Sequence, residues 1–208
     1  AALVALPVTG LALFYVWPFL NLIVEAVSAE AIAESLGRRR TWDIVWFTLW
    51  QAIVSTVLTI VIGLVPAWVI ARFEFAGRRF LLSLLTAVFV LPTVVMGAAF
   101  LALMPDRFDR TAIAVIAAHV VFNLAVVVRT VGAVWEHLPS DVESAAATLG
   151  ASPLTVFREI TLPLIRPAVT AAVAIVFLFT FTSFGVIRIL GAPGTRTIEV
   201  EVWRRATQ

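Results

Sequence analysis

Cysteine is missing from the 208 residues, and so is lysine: all fifteen basic side chains are arginines. Without cysteine there is no disulfide framework, no thiolate metal site and no cysteine nucleophile. Without lysine there is no G-x-x-x-x-G-K-Ser/Thr loop, whose lysine reaches nucleotide phosphates, so this chain is not expected to hydrolyse ATP itself. Charged residues make up only 13%, and two histidines leave little room for metal chemistry. No cofactor and no metal are expected, and a net charge of +2 in so apolar a chain gives no case for a nucleic-acid partner.

What fills the sequence is apolar. Hydrophobic residues reach 62% and the mean hydropathy is +1.04, well above a soluble domain, where apolar residues approach half. A soluble fold of this length leaves too much surface in water to hide that content, so lipid must cover the excess. The expected fold class is an all-α, polytopic transmembrane bundle. A spanning helix needs about 20 mostly apolar residues, and five stretches qualify: Leu3 to Val27, Ile44 to Ile70, Phe80 to Met104, Thr111 to Val131, and Ala168 to Ile189. The second opens with Trp42, Trp46 and Trp50, whose rings suit the headgroup boundary. The third contains Leu91-Pro92-Thr93, where a kink is expected because proline removes a backbone donor.

The connection from Gly132 to Pro167 is too polar to span and too long to lack structure of its own. Ser140-Asp141-Val142-Glu143 has the form of a capping box, so a helix is predicted to start there. Val142, Ala145, Ala146 and Leu149 follow at helical spacing and give a narrow face of small and apolar residues, which Gly150 then ends in the left-handed cap position. A second helix is predicted with Ser152 as N-cap and Pro153 at its first position. Phe157, Ile160 and Leu164 form its apolar side, and Pro163 and Pro167 are expected to end or kink it before the fifth span. The segment 140–167 reads as a helix-turn-helix whose small-residue face a groove on another protein accepts closely.

These residues resemble the membrane subunits of binding-protein-dependent ABC importers with the MetI-like permease fold. Their signature is E-A-A, three residues, Gly, nine residues, then I-x-L-P. Here Ala145 and Ala146 precede Gly150 at that distance, and Ile160, Leu162 and Pro163 complete it; the signature glutamate falls on Ser144, with Glu143 one position earlier. The resemblance implies that Glu143, Ser144, Ala145, Ala146, Gly150, Ile160, Leu162 and Pro163 belong to a cytoplasmic coupling helix that docks on an ABC ATPase subunit. It implies further partners as well: an extracytoplasmic solute-binding protein, a second permease half, fused or separate, and the bilayer of a bacterial inner membrane. Phe47 to Ala52, Phe75 to Arg79, Leu91-Pro92, His119 to Asn123, Phe181 to Gly185, Gly191 and Thr197 to Glu199 look like the thiamine and ferric-iron branch, though less specifically. In that branch two halves of about six spans are commonly fused. The sequence opens on Ala1 rather than Met and is expected to be one importer domain, 1–208, from the first half of a longer permease.

Orientation by charge disagrees with that placement. With the long connection inside, the cytoplasmic segments hold Arg72, Arg78, Arg79, Arg129, Arg158 and Arg166, and the other nine arginines lie outside, against the positive-inside trend. The motif takes precedence. Within the spans, His119 and Asn123 share a face of the fourth, and Gln51 lies on the second. They are expected either to hydrogen-bond between helices or to line the translocation path. Arg129 and Arg188 are expected to snorkel from span ends, with attraction of an anionic solute a second role open to Arg188. Leu190 to Gln208 reads as an extracytoplasmic loop or the approach to a sixth span. The alternative function is an ion-coupled secondary transporter, which commonly places ionisable relays mid-membrane; only His119 is so placed. An intramembrane enzyme needs a nucleophile or metal constellation, and none is present.

Overall fold

The computed structural model describes residues 2–26, 29–192 and 194–207, with side chains throughout these except at 2–4, 22, 24–26, 29–31 and 140. The chain divides into two compact units, Ala1–Asp43 and Ile44–Gln208. In the first, α1 (Ala2–Leu11) passes through a π-helical turn (Ala12–Val16) into α2 (Trp17–Ala26), followed by α3 (Ala29–Gly37). Pro7 and Pro18 sit inside this apolar stretch, and Leu6 and Phe14 are over three-quarters exposed, the condition of side chains that meet lipid rather than protein. The first expected span is therefore helical over its described part; Val27, its expected last residue, lies outside the described residues.

The second unit begins within α4 (Arg39–Arg72), the longest helix. At 1.5 Å per residue it is about 50 Å long, more than the ~30 Å hydrocarbon layer. Next come α5 (Arg78–Val90), α6 (Thr93–Leu103) and α7 (Ala112–Glu136), the last entered through a 3-10 turn (Asp106–Phe108) and capped by Thr111, whose side chain accepts from the Ala114 amide. The kink expected at Leu91-Pro92 is a break of 107° between α5 and α6. Leu91 is extended, at ψ 140°, as the proline ring demands of the residue before it.

After α7 come α8 (Ser140–Thr148), α9 (Pro153–Val156), a π-helical turn (Phe157–Thr161), α10 (Leu162–Phe181), α11 (Gly185–Leu190) and α12 (Ile198–Thr207). Here the structure corrects the sequence. Pro163 and Pro167 end nothing: Pro153–Phe181 runs as one helical span of 29 residues. Pro163 falls at the start of α10, where its missing donor costs least, and Pro167 is carried inside α10 as Pro66 is inside α4, since neighbouring helices in a bundle tolerate proline. The fifth span thus starts fifteen residues before its expected position and stops at Phe181 instead of Ile189, with α11 separate.

Among the described residues three helices are long and apolar enough to cross a membrane, or four when the bent pair α5 and α6 counts as one span, against the five expected; the first expected span holds only a shorter apolar helix, Ala5–Asn21. Ile60, Ala67, Val127, Val131, Ile165, Ala172 and Val176 form a buried core between α4, α7 and α10. Ala114, Val115, Ala118, Val186, Ile187 and Leu190 form another between α7 and α11. Small side chains at these seams let helix backbones approach closely, the main source of attraction between helices in lipid.

Candidate functional site: a capped surface turn and a buried polar belt

At one end of the bundle α8 stops in a Schellman motif. Gly150 has φ +87°; its amide donates to the Ala147 carbonyl at 3.0 Å and the Ala151 amide donates to Ala146 at 3.1 Å. These bonds satisfy carbonyls that the helix end would leave open. The Ser152 hydroxyl accepts from the Thr155 amide at 3.2 Å, with Pro153 at the first helical position, as the spacing predicts. The result is a tight corner that leaves Leu149 88%, Leu154 62% and Val142 46% exposed. Ser144 and Ala145 lie on the same exposed helix, and Ala146 is half-buried.

The Ser140 side of the expected capping box lies outside the described residues, and the Glu143 side is engaged elsewhere. Pro139, which carries no side-chain acceptor, takes the N-cap position, so Ser140 falls one residue inside the helix; its side chain lies outside the described residues. Glu143 turns toward the body of the protein instead. Its Oε1 accepts from the Thr161 hydroxyl at 2.7 Å and lies 2.8 Å from Arg72 Nη2 as a charge contact rather than an aligned hydrogen bond. Arg72 also donates to the Leu138 carbonyl at 3.4 Å. Glu143 therefore ties the corner to the end of α4 and to the π-helical turn, which brings together the two halves of the spaced motif. Ile160 is half-buried beside Thr161, while Leu162 and Pro163 are exposed at the start of α10. A Glu143→Gln, Arg72→Gln double-mutant cycle in thermal unfolding is expected to give a coupling energy of about 1 kcal/mol for this half-sheltered pair; additive losses would mean that the contact has no net worth.

Deeper in the bundle, one face of α4 carries Thr48, Gln51, Ser55, Thr56 and Thr59, all buried. Gln51 Nε2 donates to the Thr180 carbonyl at 3.0 Å and to the Thr48 carbonyl at 3.1 Å. Ser55 Oγ lies 3.4 Å from His119 Nδ1, and Asn123 Nδ2 donates to the His119 carbonyl at 2.9 Å. The Ile198 amide donates to Thr48 Oγ1 at 3.2 Å. This belt staples α4 to α7, α10 and α12, as polar side chains do where helices meet in lipid. Of the three residues expected for a path, His119 and Asn123 line a cavity of about 380 Å³ with Thr93, Thr182, Ser183 and Gly185. Gln51 is not in that wall. His119 Nε2 and Asn123 Oδ1 are buried without a hydrogen-bond partner among the described residues. Such groups cost about 1–3 kcal/mol each when left unpaired, and they belong to two residues of the cavity wall.

Sequence reasoning missed Arg72, Thr161, Thr93 and Ser183, none of which carries a pattern of its own. It also missed a groove of about 800 Å³ between α5 and α7, flanked by Arg78, Arg79, Arg129 and Glu136. There Arg129 donates to Thr86 Oγ1 at 2.7 Å and Arg78 pairs with Glu136 at 2.6 Å, so the Arg129 side chain packs across the α5–α7 groove. Among the described residues no group of three or more metal-ligating side chains occurs.

Residues 59–207 match a family described as the binding-protein-dependent transport system inner membrane component. The sulfate transport system permease protein CysT of Salmonella typhimurium is 35% identical over 153 residues, covering 67% of this chain and 55% of that one. The thiamine transport system permease protein ThiP of Brucella abortus is 29% identical over 183 residues, covering 78% of this chain and 33% of that one. The chain thus spans about half the length of the first relative and a third of the second. Among solved structures, a bacterial alginate ABC transporter in complex with an alginate pentasaccharide-bound periplasmic protein matches over 100% of this chain and 82% of its own, with a TM-score of 0.79 at 15% identity. At that identity the match speaks for the fold.

Proposed function

The chain belongs to the family of binding-protein-dependent transport system inner membrane components, and from that premise we propose that it forms the membrane pathway of an ATP-driven importer. In this reading a solute-loaded binding protein docks at the end of the bundle that carries α11 and α12. ATP hydrolysis is supplied by a separate subunit, which docks on the α8–α9 corner at the other end. A second permease half, fused or separate, completes the pathway. The observation that carries the reading is the corner itself: a helix ended by a Schellman turn at Gly150, with Leu149 almost wholly exposed and the rest of the corner tied to α4 and α10. An apolar side chain presented on a rigid turn suits a groove on a partner.

Within this reading Gln51 holds α4 against α10, and His119 and Asn123 face the solute as it passes the cavity beside the α5–α6 break. Ser144 stands where the signature acid would give a polar contact to the ATPase, and Glu143 acts by positioning the corner. For the solute, thiamine draws support from the name of the Brucella relative and sulfate from that of the Salmonella relative; ferric iron, the other class expected from sequence, has no support among the relatives named above.

The test is retention of the ATPase. The full-length protein, coexpressed with the ATPase encoded beside it, is expected to copurify with it in mild detergent, and Leu149→Asp with Leu154→Asp is expected to lose it. An ATPase absent from the wild-type preparation, or held equally by the variant, would overturn the assignment.

A further inference from the structure

We propose that the bundle carries an oxyanion-binding site at the end opposite the α8–α9 corner, in a pocket of about 270 Å³ lined by Arg110, Arg188, Arg196 and Arg204. The site is assembled from three parts of the chain: the residue before the α7 cap, the last turn of α11, and the segment that leads into and along α12. Nothing in the sequence places these arginines together, since they are spread over 95 residues.

The arginines are held in two ways. Arg196 lies 3.8 Å from Glu201, and Arg204 donates to the same carboxylate at 2.6 and 3.0 Å. Glu201 is buried, at 6% exposure, and acts as the anchor that fixes two guanidinium groups in the wall. Arg188 lies with its Cζ 4.6 Å over the Trp203 ring. Stacking of this kind fixes the plane of the guanidinium and leaves its N–H edge free to donate. Arg110 has φ 53°, the left-handed region that a side chain enters at a cost of about 1–2 kcal/mol. Strain of this sort persists where the surroundings impose it, often at a binding site.

Among the described residues, neither Arg110 nor Arg188 has an acidic partner. Four guanidinium groups thus line the pocket, and Glu201 is the carboxylate seen paired with the wall. The Arg204 fork is taken up by Glu201, whereas Arg110 and Arg188 offer planar forked donors that match the oxygens of sulfate or phosphate. The concentration of positive charge in a concave site raises the local anion concentration. The pocket also gives a physical account of why arginine is plentiful at the end that the positive-inside trend would leave poor: four of those nine arginines form one site.

The ligand chemistry is a tetrahedral oxyanion, and it has two sources, a free anion in solution or the phosphate of a lipid headgroup. The site itself stands on its geometry; only its place at the solute entrance rests on the importer reading.

The experiment uses the full-length protein in nanodiscs of zwitterionic lipid, titrated calorimetrically with sodium sulfate against sodium chloride at matched ionic strength. Saturable sulfate binding is expected, with no saturable chloride binding, and Arg110→Gln with Arg188→Gln is expected to weaken it at least tenfold. Arg79→Gln with Arg129→Gln, in the other arginine groove, should leave it unchanged. If the Arg110, Arg188 double variant is not monodisperse, Arg110→Gln alone carries the comparison, because its side chain is exposed and makes no ion pair among the described residues. A second arm repeats the titration in discs containing phosphatidylglycerol. Sulfate affinity lowered by the anionic lipid assigns the site to headgroups, and unchanged affinity assigns it to the free anion. Equal responses to sulfate and chloride, or binding retained in the double variant, would overturn the site. Loss of the ATPase from the corner would leave this result untouched, so the two readings fail separately.

Discussion

Replacing Gly150 by arginine is expected to reduce ATP-driven uptake by at least a hundredfold in proteoliposomes while the membrane bundle stays folded. The residue sits at φ +87°, where a side chain costs about 1–2 kcal/mol. A Cβ at Gly150 would meet nothing within 4 Å, so the cost is backbone strain alone, without a clash. The chain itself has room for the change. A partner docked as proposed does not: the turn stands beside Leu149, the most exposed large apolar side chain of the corner, and a long cation there would add both bulk and an unpaired charge to an apolar contact. Gly150→Ala separates the two effects, since it carries the backbone strain without the bulk, and its uptake should fall less than tenfold. Thermal midpoints of both variants should stay within a few degrees of the parent. Uptake by Gly150→Arg at the parental rate would show that the corner is not where ATP hydrolysis enters the permease.

The reason for so large an effect lies in what the corner is attached to. Because Pro153–Phe181 is one helical span, α9 runs on through the π-helical turn into α10, and a displacement of α9 is passed along it. Glu143 and Arg72 bind the same corner to the end of α4. At the far end of α10, Thr180 meets Gln51 and Ala52 of α4, and the break at Thr182-Ser183 opens onto the cavity lined by His119 and Asn123. In the proposed importer, a partner that binds two conformations with different affinity shifts their populations, and this span supplies a two-ended lever between the partner and the cavity.

The corner was legible in the sequence because its signals are local. A glycine after an apolar helical face and a Ser-Pro pair each specify backbone geometry within a few residues, and both are found as read. The Glu143 side of the capping box was not legible: Pro139 takes the N-cap position, and Glu143 pairs with Arg72 and Thr161, 71 and 18 residues away. Such pairing is tertiary and has no sequence signature. Pro163 and Pro167 misled for a related reason: the helix runs on through both, and whether a proline breaks a helix in a bundle depends on its neighbours. Hydropathy marked the apolar stretches but neither their bounds as spans nor the depth of the break at Pro92. Proline specifies that the residue before it is extended and leaves the angle between α5 and α6 to packing. Gln51, His119 and Asn123 were singled out as polar residues in apolar spans; that only two of them reach the cavity depends on helix rotation set by the small-residue seams.

The break between α5 and α6 is also where a second large effect is expected. Gly185, the first residue of α11, packs against Thr93 at the start of α6: a Cβ added there would overlap Thr93 Oγ1 and lie 2.9 Å from Thr93 Cβ and 3.0 Å from the Val94 amide nitrogen. The threonine side chain can rotate away, but the backbone nitrogen cannot move without shifting α6. Gly185→Val should therefore cost about 3 kcal/mol, the upper part of the range for overpacking a tight contact, and lower the midpoint of detergent-solubilised protein by several degrees. Gly185→Ala should cost about half as much. Thr93→Ala removes the hydroxyl and the γ-methyl and should recover part of the alanine loss, whereas Thr93→Gly removes the Cβ as well and should recover more. Because Gly185 and Thr93 both line the cavity with His119 and Asn123, the same variants should slow uptake beyond what their stability predicts, measured at a temperature where all remain folded. If Gly185→Val left both midpoint and uptake at parental values, the two helix breaks would not be in contact, and the cavity between them would not be part of the pathway.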